Sequence, residues 1–286
     1  MYNVVNRTVV FVDGQNFKKN LRTFAFGANL PQYRLDEKHF DWQRFFTNLI
    51  AKFDHGNVVH TLLRVYWYNA DDVTSWREGA KELQSALQEC KRIVPCTRLT
   101  EDELKELAHD WWQREREAVR RAREDIFPNI QQRVEFLEFC YTGIYKLAPF
   151  KVHQFTESAG DRHYLGTRVG EKGVDLGIAV DMIGKMAGYD AAILVSGDAD
   201  FMPVVRHLKD NLKSVYQFSV AKGVPPNITY LSADLKVHVD AFRHFDELEL
   251  LRDYLDRSGG MCRIPDLILT AIDARIAELE AAGASP

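Results

Sequence analysis

The chain of 286 residues is long enough for one large α/β domain or for a core domain with a substantial appendage. Its 46% hydrophobic and 27% charged residues exclude a wholly disordered chain, and no apolar run approaches the length of a membrane span. A formal net charge of −4 excludes a generally basic nucleic-acid coat and leaves room only for local basic faces.

The four cysteines, Cys90, Cys96, Cys140 and Cys262, stand far apart without a C-x-x-C pair. That argues against a zinc ribbon or a disulfide framework, and reduced, mostly buried thiols are expected. The apolar run Val9–Val12 is strand-sized, too short for the core of a signal peptide, so the expectation is a cytoplasmic protein.

Thr8–Val12 is a continuous apolar run rich in β-branched residues, which predicts a strand covered on both faces and ending at Asp13. Asn16, three residues on, suits either a helix cap or a support for Asp13. Asp41 predicts the cap of a helix with Trp42, Phe45, Phe46, Leu49, Ile50 and Phe53 on one face, ended by Gly56-Asn57. Val58–Tyr68 reads as a third strand, and Ser75 with Glu78 as a capping box before a helix to Val94. The alternation predicts a parallel sheet wrapped by helices.

Residues 100–148 break that rhythm. Helical period from Leu104 to Ile126, resumed after Pro128 through Leu137, Tyr141 and Ile144, predicts an inserted helical hairpin. Arg116, Arg120 and Arg123 form a basic stripe diluted by Glu115, Glu117, Glu124 and Asp125, so a solvated face with internal ion pairs is the stronger reading. Phe150–Phe155 suits a strand, and 157–171 a hairpin or ordered loop. Asp175 falls in the first turn of a helix that runs to Met186; Asp181 lies about 240° further round, so the two carboxylates point apart.

Ala191–Val195 is a buried strand running into Ser196-Gly197-Asp198. Asp200 precedes Phe201-Met202-Pro203, where a first-turn proline is tolerated, and is the expected helix cap. Val215–Val220 and Ile228–Leu231 read as strands, and His244–Asp256 and Ile264–Leu279 as helices. Residues 1–240 are expected to form the principal domain and 241–286 a helical extension.

An open α/β sheet would bring Asp13, Asp175, Asp198 and Asp200 to one rim, where ligands bind. Such carboxylates repel each other unless a cation or protons neutralise them, and all-oxygen ligation selects Mg²⁺ or Mn²⁺. A divalent ion there suits phosphodiester hydrolysis.

The segments VFVDGQNF (10–17), KGVDLGIAVDM (172–182) and VSGDADFMPVV (195–205) together resemble the three signature segments of the NYN domain, the LabA-like branch of the PIN-like nucleases. The resemblance runs from about Val9 to Asp234. It implies an α/β fold with a central parallel sheet flanked by helices, and Mg²⁺- or Mn²⁺-dependent endoribonuclease activity. It assigns Asp13, Asp175, Asp198 and Asp200 as metal ligands or water-positioning groups, supported by Asn16. Asp181 is a second-tier acid, and Lys172, Arg168, Ser196 and the three stripe arginines are candidate substrate contacts. RNA is the expected partner, with a homodimer or regulatory protein contact through the insertion or the C-terminal helices as a further expectation.

Four other readings fit less well. A silent or partner-activated binding module of the same fold would not require so many mutually repelling charges. A glycosyltransferase D-x-D at Asp198-Ala199-Asp200 leaves Asp13 and Asp175 unexplained, and a haloacid-dehalogenase-like phosphatase would want its D-x-D where Asp13-Gly14-Gln15 stands. Dinucleotide binding lacks a G-x-G-x-x-G after the first strand.

Overall fold

The computed structural model describes residues 3–21, 24, 35, 37–74, 101–157, 160–228, 231–260 and 262–283. The expected helix over 75–94, with Cys90 and Cys96, lies outside the described residues. The chain divides into two compact units: Met1–Asn69 with Ile126–Cys140 and Asp175–Pro286, and Ala70–Asp125 with Tyr141–Val174.

The first unit is built on a six-stranded sheet. Its strands are β1 (Val4–Asp13), β2 (Val58–Asn69), β4 (Leu137–Tyr141), β7 (Ala191–Val195), β8 (Ser214–Val220) and β9 (Ala241–Phe245), in the order β4-β2-β1-β7-β8-β9. The pairings β1–β2, β1–β7, β7–β8 and β8–β9 are all parallel. The central strands carry unbroken apolar runs because helices cover both faces. Val10, Phe11, Val12 and every residue from Ala191 to Leu194 are fully buried.

Alternation along β2 sets the two layers apart. Trp67 faces α1 (Gly14–Leu21) and α2 (Trp42–Ala51), with ring centroids 5.5 Å from Phe17 and 4.9 Å from Trp42. Its neighbours Tyr66 and Tyr68 face the other way, toward Lys185 and Asp181 of the segment that includes α5 (Val174–Gly184). Asp41 caps α2 by accepting from the Arg44 amide at 3.0 Å, as expected. The helix stops at Ala51, and Gly56, at φ 58, belongs instead to the turn before β2.

Gly14 permits the sharp entry from β1 into α1. A Cβ there would stand closer than 3.0 Å to the Tyr68 carbonyl oxygen and to Trp67 Nε1.

The second unit contains α3 (Glu101–Arg121) and a three-stranded sheet of β3 (Asp72–Val73), β5 (Ile144–Glu157) and β6 (Gly160–Lys172), with β5 and β6 antiparallel. The expected hairpin over 157–171 is thus the distal part of a longer β5–β6 ribbon. The inserted helical hairpin takes another form. After α3 come a π-helical turn, Ala122–Ile126, and the short helix α4 (Phe127–Arg133), and then the chain becomes β4. Leu137 and Phe139 are buried with Glu138 exposed between them, a period of two that outcompetes the helical spacing of Leu137, Tyr141 and Ile144.

Two further expectations are corrected. His244 belongs to the edge strand β9, and the helix α8 (Glu247–Asp253) begins only after the Asp246 capping box. Ile228 and Leu231 lie outside any strand. The final helix, α9 (Asp266–Gly283), is as expected.

Candidate active site

Strands β1 and β7 are adjacent and parallel, so Asp13 and the loop Ser196–Asp198 emerge on the same rim. Asp13 is 4% exposed. Its Oδ1 accepts from the Asn16 amide at 2.9 Å, closing the first turn of α1, and its Oδ2 accepts from Ser196 Oγ at 2.9 Å. Ser196 Oγ in turn accepts from the Asp198 amide at 3.2 Å, and Asn16 Oδ1 accepts from the Gly197 amide at 3.2 Å. Gln217, fully buried on β8, donates through Nε2 to the Ser196 carbonyl at 2.8 Å and steadies that loop from beneath.

Burial pushes the Asp13 carboxyl up to about 6 from its usual 3.8. Hydrogen bonds from Asn16 and Ser196 pull the other way, whereas the negative charge of Asp175, in the first turn of α5, adds to the rise. The rim therefore holds Asp13 and Asp175 close enough to repel and joins Asp13 to Asp198 through one serine.

Asp198, not Asp200, is the cap. Its Oδ1 accepts from the Asp200 amide at 3.0 Å, starting the 3-10 turn Ala199–Phe201 that leads into α6 (Met202–Asp210). Asp200 is exposed on that turn. Pro203 lies in the first turn of α6 as expected. Asp181 is turned away, accepting from Tyr68 Oη at 2.7 Å and pairing with Lys185 Nζ at 2.7 Å. Burial raises its pKa, but the bonds from Lys185 and Tyr68 together outweigh this and the net direction is down.

The expected substrate contacts fare unevenly. In the second unit Arg120 is held by Glu117 at 2.6 Å and Glu124 at 2.5 Å, and Arg123 by Asp71 at 2.5 Å. Arg116 stacks over Trp112 at 5.3 Å. The stripe is thus largely a self-paired face. Lys172 is exposed, and the Arg168 side chain lies outside the described residues. Ser196 is 2% exposed and serves the two acidic segments themselves. Gln217 and Gly14 escaped sequence reasoning: a glutamine inside a strand carries no local mark of its role, although a glycine directly after Asp13 was a visible signal.

Among the described residues, no three His, Cys, Asp or Glu side chains already converge as a metal cage. Asp13, Asp198 and Asp175 nevertheless suit a hard cation held by one or two carboxylates, with water and phosphate oxygens completing the shell.

Residues 113–243 match the family model of the NYN domain. This segment carries an NYN domain, and NYN domains belong to the PIN-like nuclease superfamily. The match contains the second and third signature segments but not Val10–Phe17. That first segment is joined to the NYN rim by the bonds of Asp13 to Ser196 and of Asn16 to Gly197.

No curated protein matches the chain. Among solved structures, a protein of unknown function from Vibrio parahaemolyticus RIMD 2210633 is similar over 87% of this chain and 96% of its own, at 16% identity and a TM-score of 0.37. A likeness of that level carries no argument here.

Proposed function

We propose that the rim is the centre of a cytoplasmic, Mg²⁺- or Mn²⁺-dependent endoribonuclease. The observation that carries this reading is Asp13, a buried carboxyl whose pKa rises to about 6, near the charge of Asp175 and bridged by Ser196 to the Asp198 loop. A protein that only needed a helix cap at Asp13 would not also require Asp175 beside it. A cation relieves this accumulation of charge.

Asp13, Asp198 and Asp175 are the residues that would hold it, with Asp200 exposed at the mouth. When bound, such an ion lowers the pKa of water and offsets charge on the phosphate oxygens. The chain's own part is to keep the two acidic loops at a constant separation: Ser196 and Asn16 do this from the rim and Gln217 from the sheet. In this reading water attacks phosphorus in line, and the 2′-hydroxyl takes no part.

The test is cleavage of labelled RNA and DNA by the full chain in Mg²⁺, Mn²⁺ or EDTA, beside Asp198→Asn. Cutting that needs the metal and disappears in the variant supports the proposal. Cutting that survives both EDTA and the substitution sinks it.

A second reading is favoured by one observation: both Asp13 oxygens already have donors, as in a purely structural cap. The rim would then belong to a nucleic-acid-binding or regulatory module. Tight RNA binding without cutting under any metal condition would favour this second reading.

A further inference from the structure

The two acidic loops of the rim have holders of their own. Asn16 and Ser196 hold Asp13. The Asp198 loop is held by Gln217 and by the amide of Ser232, the cap of α7 (Ala233–His238), which donates to the Gly197 carbonyl at 2.8 Å. Asp175 differs because it stands on a helix, so whatever fixes the rotation and height of α5 also places this carboxylate.

Val174, Ile178 and Met182 are fully buried and dock α5 on the sheet, but apolar packing is non-directional and tolerates small rotations. With side chains reaching about 5 to 6 Å from the axis, a turn of about 10° swings a carboxylate by about 1 Å. A displacement of that size can cost an active site about a hundredfold. Directional contacts come six residues further along. Tyr68 Oη donates to Asp181 Oδ2 at 2.7 Å, Lys185 Nζ pairs with Asp181 at 2.7 Å, and the same ammonium lies 4.9 Å from the Tyr66 ring centroid.

These four residues close a clasp. Tyr66 and Tyr68 are i and i+2 on one face of β2, about 6.6 Å apart along the strand. Asp181 and Lys185, joined by the Lys185 amide to the Asp181 carbonyl at 2.9 Å, are i and i+4, about 6 Å apart along the helix. The matched spacings fix slide and rotation together. Tyr68 is 1% exposed and stands opposite Asp13 in the β1–β2 register, so the clasp ties α5 to the level of the sheet that carries Asp13. The Asp181–Lys185 pair leaves about a third of each side chain in water, and a pair so exposed adds little to stability. What it supplies is geometry.

We propose that Tyr66 and Tyr68, acting through Asp181 and Lys185, are positioning residues that set the angle of α5 and so aim Asp175 at the cation site of the rim. This role rests on the metal site of the nuclease reading and deepens it.

The test is the Mn²⁺ affinity of the full chain, read from the electron paramagnetic resonance signal of the free ion, with a thermal melt of each variant alongside. Tyr68→Phe, which keeps the ring and loses the hydroxyl, and Asp181→Ala are each expected to weaken Mn²⁺ binding about tenfold. Their combination should lose no more than either alone, since both remove the same bond. Asp181→Asn still accepts from Tyr68 and should stay close to the wild type. Arg7→Gln, which breaks the pair with Asp190 at the opposite end of β1, should leave the affinity unchanged.

Mn²⁺ binding that is lost in Asp198→Asn but unchanged in Tyr68→Phe and Asp181→Ala, with only the melting temperature lowered, would overturn the clasp's role and leave the nuclease reading standing. A loss in Asp181→Asn as large as in Asp181→Ala would make charge rather than position the contribution of Asp181, and would overturn it too. A wild-type chain that binds no Mn²⁺ would end the metal site of the nuclease reading, and the clasp's role with it.

Discussion

Asp13 is a carboxylate that the fold works against. Its pKa of about 6 lies above the 3.8 of an unburied aspartate, so the folded chain holds the proton more tightly than the unfolded one. This contribution to stability is fully present below about pH 4 and is lost as pH rises through about 6, on the order of 3 kcal/mol in all. Asp13→Asn is therefore expected to melt higher than the wild type at pH 7, by about 1 to 3 kcal/mol, with the difference shrinking toward about pH 4. Thermal melts across that range check it, and a constant difference at every pH would count against a strained carboxylate.

Leu212 offers a second residue-scale expectation. It is 94% exposed, has φ 60, and closes α6. The Lys213 amide bonds to the Leu208 carbonyl at 3.0 Å and the Leu212 amide to the Lys209 carbonyl at 2.9 Å, a Schellman ending that favours glycine at this position. Leu212→Gly should stabilise the fold by about 1 kcal/mol, because the left-handed conformation costs a leucine about that much. A lower denaturant midpoint in that variant would refute the account.

At the scale of elements, the cap on the Asp198 turn decides how the rim is built. The side chain of Asp198 reaches only to the Asp200 amide, so the D-x-D string folds on itself and leaves Asp200 pointing outward. Asp198→Asn keeps an acceptor for this cap while removing the charge, which is why it is the variant chosen for the cleavage assay. Loss of cutting with an unchanged melting temperature is the expected outcome. The divergence of Asp175 and Asp181 follows from helix geometry alone: α5 directs one toward the Asp13 rim and the other toward Tyr68.

For the molecule as a whole, the cation and the fold should be thermodynamically linked. If Mg²⁺ or Mn²⁺ binds at the rim of the folded chain only, the ion should raise stability by about 1.4 kcal/mol at a tenfold excess over its Kd. The gain should vanish in Asp13→Asn. A wild-type melting temperature identical in Mg²⁺, Mn²⁺ and EDTA would contradict the proposed site. No helix among the described residues is long and apolar enough to cross a membrane.

The amino-acid sequence by itself determined the strands that carry the acids. Thr8–Val12 and Ala191–Val195 are unbroken apolar runs, and such runs are stable only between two covering layers, which places their aspartates at the ends. It also determined the start of α2 at Asp41 and the opposed directions of Asp175 and Asp181, because caps and helical angle act over a few residues.

Tertiary structure decided the rest. Leu137–Tyr141 satisfies a period of two and a period of 3.6 about equally over five residues, and only the free edge of β2 made it a strand. Ala241–Phe245 became β9 for the same reason, at the edge of β8. Which acid an arginine pairs with depends on segments distant in sequence: Arg123 meets Asp71, and Arg275 meets Glu247. Local periodicity reports which face is apolar, but charge partners and edge-strand pairing are contacts between distant segments, and only the folded chain supplies them.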